Sequence, residues 1–390
     1  MPEENRNIGR VRAIGKGGRG VIPFDGKTVF VDRVLPGETV EFTITGKRGS
    51  VWFGSPVNII EPSEDRIKAP CPHYTICGGC NFQHIAYPAQ VRIKKNILTD
   101  NLKKISGIHE PPPIHVFTSP AFGYRTKVVL KVRSGKVGFL QRESHRLAEI
   151  DRCPLLPGDG QNIITSIRNN SRVKNLSSGE ISVLCNGREF SALIKTGKIR
   201  HFLTPNKDIT FNVRGFSLRY TPDNFIQSNR FTLDTMIGLV GAQMKAGRSG
   251  HAVDLFCGAG FFTLPLSRHS RKVTAIDNEP GNLRTLEKNL QANGIGNTIG
   301  IQADINRFSL PDADLYLVDP PRTGLKPEII AGISGRPARK ILYFSCDSAT
   351  FCRDLTRFRA GGYLPLDITI IDNFPQTDHF EIFCRFENHN

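Results

Sequence analysis

From His251 onward, short apolar runs alternate with helical stretches, and no other feature constrains the fold as much. Strand-like runs fall at residues 252–256, 273–276, 299–302, 315–318 and 341–344, with a helical stretch at 280–292. Such alternation predicts a parallel sheet with helices on both faces, an α/β doubly wound, Rossmann-like domain. Two further strands are expected at 367–371 and 380–386.

Residues able to do chemistry sit where these strands should end. Asp254, Phe256, Gly258 and Gly260 lie in a strand–turn–helix passage, where glycine lets a ligand approach the backbone closely. Thr263 occupies the place of a third fingerprint glycine, which suits S-adenosylmethionine, a ligand with no pyrophosphate to cradle. Asp277 follows the second strand, where a carboxylate can accept bonds from ribose hydroxyls, and Asp304 follows the third, in reach of an adenine amino group. Asp319, Pro320, Pro321 and Arg322 follow the fourth strand, and Cys346 the fifth. Ligands of open α/β sheets bind outside the carboxyl ends of the strands, so five such ends outweigh the ordinary reading of each Asp as a cap or turn residue.

Cys346 precedes a helix, and a thiol at a helix amino terminus is expected to have a lowered pKa and high nucleophilicity. Glu381, opening the last strand, is the candidate base. By residue type alone a buried structural thiol and a solvated glutamate would be the default. If the ring attacked were cytosine rather than uracil, a second cysteine would be needed, and Cys352 is the nearby candidate.

Ahead of this domain the texture differs. Residues 8–60 read as short alternating strands with Gly-rich turns, a small OB-like β-barrel whose turns carry Lys16, Arg19, Lys27, Lys47 and Arg48. A helix is expected at 88–104, mixed strands and turns at 114–220, and a helix at 230–245. Three domains follow: 1–62, 63–220 (a mixed α+β central domain) and 221–390. Cys71, Cys77 and Cys80 are spaced Cys-x5-Cys-x2-Cys, with Cys153 directly before Pro154. Four thiolates suit an iron–sulfur cluster; zinc is the rival.

Lys and Arg total 52 against 36 acidic residues, a net charge of +16 that favours a polyanionic partner such as RNA. No apolar run is long enough to span a membrane, and residues 1–10 lack the apolar core of a signal peptide, so a cytoplasmic protein is expected, by default a monomer.

Taken together and in order, these motifs resemble the RNA 5-methyluridine methyltransferase family in its cluster-containing branch, over nearly the whole chain. Residues 8–60 resemble its TRAM domain. Cys71, Cys77, Cys80 and Cys153 match its [4Fe–4S] ligands. Asn224, Phe225, Ile226 and Gln227, then residues 254–260, 319–324, 345–346 and 379–381, match its methyltransferase motifs. The resemblance implies that Gln227, Phe256, Gly258, Asp277, Asp304 and Asp319 bind S-adenosyl-L-methionine, that Cys346 is the nucleophile and that Glu381 accepts a proton. The implied substrate is uridine in RNA, ribosomal 23S RNA ahead of transfer RNA. Departures are Asp277 for Glu, Phe261 for Asn, Asp347 and Ser348 for Asn-Pro, and Phe380 for an aliphatic residue. Phe225 or Phe262 would stack the target base, and Arg125 and Lys127 would meet phosphates. A reading of another class is a non-catalytic RNA-binding ribosome-assembly factor.

Overall fold

The computed structural model describes residues 6–244, 249–336 and 338–388. The expectations for residues 1–5 and for the end of the 230–245 helix lie outside the described residues. By packing, the chain divides into two compact units.

The first unit comprises residues 1–97, 140–148 and 374–378. Its strands are Arg6–Arg10 (β1), Ala13–Ile14 (β2), Gly20–Phe24 (β3), Lys27–Val31 (β4), Thr39–Arg48 (β5) and Val51–Glu61 (β6). They pair in the order β1-β5-β6-β4-β3-β2, with β4 and β6 parallel. Alternation along β4 and β5 turns Val29, Val31, Val40 and Phe42 inward, where they join Val11, Ile22 and Val34 in an apolar core suited to a small barrel. Buried Glu38 accepts from Leu35 N (2.8 Å) and from Arg66 Nη2 (2.7 Å), which fastens the segment after the barrel.

The long helix Tyr87–Ser106 (α1) starts in this unit, one residue earlier than the sequence suggested and ending slightly later. Gln90 on its first turns donates to Phe82 O and Ile85 O, closing the cysteine-bearing loop against it.

The second unit comprises residues 98–139, 149–373 and 379–390. After Ile114–Phe117 (β7), the strands Lys127–Arg133 (β8), Lys136–Leu140 (β9), Ser178–Cys185 (β11), Phe190–Thr196 (β12) and Ile199–Phe202 (β13) form an antiparallel sheet in the order β9-β8-β11-β12-β13, and the short strand Leu147–Glu149 (β10) enters this unit at Glu149. Helices Gln161–Asn169 (α2) and Ser171–Lys174 (α3) pack Ile163, Ile164, Ile167 and Val173 onto it. A hairpin, Ile209–Val213 (β14) and Phe216–Tyr220 (β15), leads to Leu233–Met244 (α4).

Then come Ser249–Leu255 (β16), Thr263–His269 (α5), Ser270–Asp277 (β17), Pro280–Ala292 (α6), Thr298–Gln302 (β18), Leu315–Val318 (β19), Pro327–Ser334 (α7), Lys340–Ser345 (β20), Ser348–Ala360 (α8), Tyr363–Ile371 (β21) and Glu381–Asn388 (β22). The sheet order is β18-β17-β16-β19-β20-β22-β21-β7. The first five strands are parallel, and β22 runs antiparallel to β20. Successive side chains of β20 face opposite layers. Phe344 stacks on Phe262 (centroids 4.2 Å apart), whereas Tyr343 packs with Phe351, Phe358 and Phe386. Both faces are thus covered, which is why these strands are apolar throughout rather than alternating.

The chain winds outward from β16 through β17 to β18, then returns to β19 on the other side of β16. The crevice at such a reversal, outside the carboxyl ends, is where ligands of these sheets bind.

Candidate active site

All the sequence-predicted catalytic and donor-binding residues belong to the second unit. The β16–α5 turn leaves the sheet through a strained step. Phe256 has φ +63°, a conformation that non-glycine residues seldom adopt and that tends to mark functional loops. Gly258 follows at φ +54°; a Cβ there would meet nothing within 4 Å, so open space lies beside this backbone. Gly260, at φ +95°, is required for packing instead, since a Cβ would sit 2.5 Å from Leu286 Cδ1.

Asp277 Oδ2 accepts from Gly258 N (2.9 Å), and Asp277 Oδ1 accepts from Glu279 N (2.8 Å) and Asn282 Nδ2 (3.2 Å). Although one methylene shorter than Glu, this carboxylate is fixed by the glycine turn. Asn224 Oδ1 accepts from Thr221 N (2.9 Å), holding the loop that carries Gln227, and Gln227 Nε2 donates to Asp319 Oδ2 (3.0 Å).

Between β20 and β22, Ser345 pairs with Ile382. Cys346 follows Ser345 and Glu381 precedes Ile382, so both stand at this end of the paired strands, and Glu381 is the first charge acting on the thiol. Asp319 leaves the end of β19, adjacent to β20. Glu381 is 3% exposed, and its carboxyl is pushed well above the usual range by burial and then by the Asp319 carboxylate, with Arg322 opposing. Burial also pushes Asp319 up to about 7, against the stabilising Gln227 bond. Asp254, bonded by Thr263 Oγ1 (2.5 Å), is pushed up to about 8 by burial, with Asp319 and Asp277 adding repulsion. Burial thus raises the proton affinity of three carboxyls at this end of the sheet.

The same field corrects the expectation for the nucleophile. Cys346 does precede α8, but its thiol is pushed up to about 12, first by burial and then by Glu381 and Asp319, with Arg322 opposing. The helix amino terminus is not available to it: Asp347 caps α8, its carboxylate accepting from Thr350 N (2.8 Å) and adding negative charge. Without ligand the thiol is held protonated.

Other expected residues divide. Phe256 is half-buried in the turn, and Phe225 is 62% exposed, free to meet a base. Phe262 is not a platform; it is buried against Phe344 and Phe261 in the core. Asp304 is exposed just past β18, one residue beyond Ala303, whose N–H donates to Asp277 O (3.1 Å), and its carboxylate accepts from Asn306 N (3.0 Å) and Nδ2 (2.8 Å), which hold it below the usual range. Lys127 Nζ donates to Asn224 O (2.5 Å), so it supports the Gln227 loop. Cys352 is buried in α8, its thiol pushed up to about 12 by burial.

The sequence did not mark Asp354. This buried carboxylate of α8 accepts from Leu325 N (2.8 Å), Tyr343 Oη (2.8 Å) and Arg353 Nη2 (2.7 Å), while Arg353 Nη2 also donates to Thr323 O (2.9 Å). It ties the Asp319–Arg322 loop to the helix that follows Cys346. No local signal distinguishes it from a solvated helix carboxylate, because its partners come from two other elements.

Cys71, Cys77 and Cys80 are half-buried in the first unit, and Cys77 Sγ accepts from Gly79 N (3.4 Å). Among the described residues no group of three or more His, Cys, Asp or Glu side chains is arranged to hold a metal ion.

A doubly wound parallel sheet with a glycine turn after its first strand and a carboxylate fixing that turn from the next strand is a Rossmann-like architecture of the kind methyltransferases use. The fold is similar to that of the Pyrococcus abyssi tRNA (uracil-54, C5)-methyltransferase, solved with S-adenosyl-L-homocysteine, with a TM-score of 0.77 at 19% identity, covering 97% of this chain and 100% of that one. The family model for tRNA (uracil-5-)-methyltransferase matches residues 170–387, and the chain belongs to this family. It is an S-adenosylmethionine-dependent RNA uracil-C5-methyltransferase. The 23S rRNA (uracil(1939)-C(5))-methyltransferase RlmD of Pseudomonas entomophila is 29% identical, covering 97% of this chain and 92% of that protein. RlmD of Francisella tularensis subsp. holarctica is 30% identical, covering 97% and 96%. No described helix is long and apolar enough to cross a membrane.

Proposed function

We propose that the enzyme methylates carbon 5 of a uridine in 23S ribosomal RNA through a covalent adduct on Cys346. The observation that carries the mechanism is that Cys346 and Glu381 flank the terminal Ser345–Ile382 pair, with Asp319 acting electrostatically on both. Gln227, Phe256, Gly258, Asp277, Asp304 and Asp319 hold the donor. When bound, S-adenosylmethionine supplies an electrophilic methyl on a sulfonium. Uracil carbon 5 is too weak a nucleophile to take that methyl unaided. Cys346 therefore gives up its thiol proton to solvent and its Sγ bonds to carbon 6. The ring electrons pass into an enolate whose carbon 5 takes the methyl as the donor's carbon–sulfur bond breaks and its sulfur leaves as a neutral thioether. Glu381 then removes the carbon 5 proton; the freed pair restores the ring double bond and the Cys346–carbon 6 bond breaks. The raised proton affinity of Asp319 and Glu381 fits this sequence, because a cation entering the crevice favours their carboxylate forms and readies Glu381 as a base.

Ribosomal RNA is favoured by full-length likeness to the two 23S rRNA enzymes. Transfer RNA is the second reading, on the family description and the archaeal structure. The barrel at residues 1–62, read as a TRAM domain, and the charge of +16 support RNA binding. Cys71, Cys77, Cys80 and Cys153 are proposed as [4Fe–4S] ligands from their chemistry and spacing, and the Gly79 amide on Cys77 Sγ suits a thiolate. A brown anaerobic preparation, bleached in Cys77→Ser, is expected; a colourless zinc protein would overturn it. A cytoplasmic monomer completes the proposal.

Wild type and Cys346→Ala, incubated with radiolabelled donor and total RNA, test the mechanism. Labelling is expected from wild type alone, and 5-fluorouridine RNA should crosslink to Cys346. Equal labelling by both proteins rules the thiol out, and labelling by neither favours a ribosome-assembly factor.

A further inference from the structure

A polar cavity lies in the antiparallel sheet region of the second unit, and none of its residues belongs to the candidate active site. It has a volume of about 480 Å³ and is walled by the β8–β9 turn, α2, α3 and the end of β10, with no apolar side chain in its lining. Three of those walls contribute a cation each: Lys136, Arg168 and Lys174. One carboxylate, Glu149, answers two of them, accepting from Arg168 Nη2 (2.9 Å) and lying 3.4 Å from Lys136 Nζ. Lys174 has no carboxylate partner among the described residues, so the lining carries an excess of positive charge.

The cavity is also built rather than incidental. Gly135 turns at φ +74° with Lys174 O standing 2.5 Å from where a Cβ would be, so only glycine closes the hairpin this tightly under α3. Ser134 N and Gly135 N donate to Ser177 O (2.7 Å) and Leu176 O (2.9 Å), which docks the hairpin on the segment after α3. Beneath, Ile164, Ile167 and Val173 pack into the sheet's core, so Arg168 and Lys174 project from fixed turns.

We propose that this cavity binds a ribose–phosphate segment of the RNA substrate at a distance in sequence from the target uridine. Three cations against the single Glu149 carboxylate leave a net positive charge that a phosphodiester can answer, with Lys174 as the cation not held by a carboxylate. Glu149 does two things there. It holds Arg168 through one oxygen and Lys136 through the other, and the remaining lone pairs of that carboxylate can accept from a ribose 2′-hydroxyl, which only RNA presents. A volume of this size takes a nucleotide rather than a bare anion. The inference rests on the RNA reading above and adds the surface that grips the substrate.

The test compares wild type with Lys136→Gln/Lys174→Gln, both exposed positions, and with the control Lys272→Gln/Lys288→Gln, equal in charge but on β17 and α6. Binding to a 23S rRNA fragment is titrated at several salt concentrations, with and without inorganic phosphate, and methylation is measured in the same preparations. The Lys136/Lys174 variant is expected to bind roughly tenfold more weakly, with a log–log salt slope shallower by about 1–2, and with kcat at saturating RNA unchanged. Equal losses in the control would reduce the effect to bulk charge and overturn the site. So would unchanged RNA affinity together with loss of a phosphate-induced rise in Tm, which would mean that free phosphate is the ligand. Wild type that methylates RNA while the variant binds it normally sinks this inference alone; wild type that neither binds nor methylates RNA sinks the reading beneath it as well.

Discussion

In donor-free enzyme, Cys346 should alkylate slowly and with a pH dependence that never levels off in the accessible range. With its thiol pushed up to about 12, the thiolate at pH 7.5 is about 3 in 100,000, whereas an ordinary thiol with pKa about 8.5 is about one-tenth ionised. The ratio is on the order of 3,000. A more basic thiolate is intrinsically more nucleophilic, with a Brønsted coefficient of about 0.4–0.5, which returns roughly 30-fold over this span and leaves a deficit on the order of 100-fold. Iodoacetamide labelling followed at the Cys346 peptide by mass spectrometry from pH 6.5 to 9.5 measures this directly. The logarithm of the rate should rise by about one per pH unit throughout, a slope that steric access cannot imitate. Burial is the largest cause of the raised thiol, and the buried Glu381 carboxyl is already held protonated without donor, so the line for Glu381→Gln should stay close to that of wild type. A plateau below pH 9, or wild-type labelling as fast as a model thiol, would refute the account of burial and paired carboxyls.

Three more outcomes are expected. Glu381→Gln should lower turnover by about 10²–10⁴-fold while allowing thiol addition, so a denaturation-stable protein–RNA adduct should build up with donor present; undiminished turnover without adduct would move the base elsewhere. Asp254→Asn should flatten the pH dependence of stability. Because the folded carboxyl is raised to about 8, its contribution is intact below pH 4 and is lost as pH rises toward 8, costing wild type on the order of 4 kcal/mol between pH 5 and 8. Chemical denaturation of both proteins at those two pH values checks the sign. Asp354→Asn should cost about 2 kcal/mol of stability through weakened bonds to Arg353 and Leu325, and should lower kcat through the loosened Asp319–Arg322 loop; unaltered kcat in a destabilised protein would limit Asp354 to folding.

Much of the large sheet was legible in the chain itself. Apolar runs separated by helical stretches dictate parallel strands, and parallel strands put their carboxyl ends on one edge, so Asp254, Asp277, Asp319 and Cys346 could be assigned to a common crevice before any coordinates. The α6 boundaries at Pro280 and Ala292 were legible for a local reason too, since proline begins a helix readily at its first turn. What the chain order leaves open is register and environment. That Glu381 and Cys346 stand at one end of the paired strands depends on hydrogen bonding between β20 and β22, which are separated in sequence by a helix and another strand. Phe262 belongs to the core and Phe225 to solvent because packing, not residue type, decides which aromatic ring is covered. The thiol's charge state was misjudged from the neighbouring helix alone. A helix terminus acts locally, but desolvation and the fields of Glu381 and Asp319 are properties of groups that meet only when distant strands close together, and here they outweigh it.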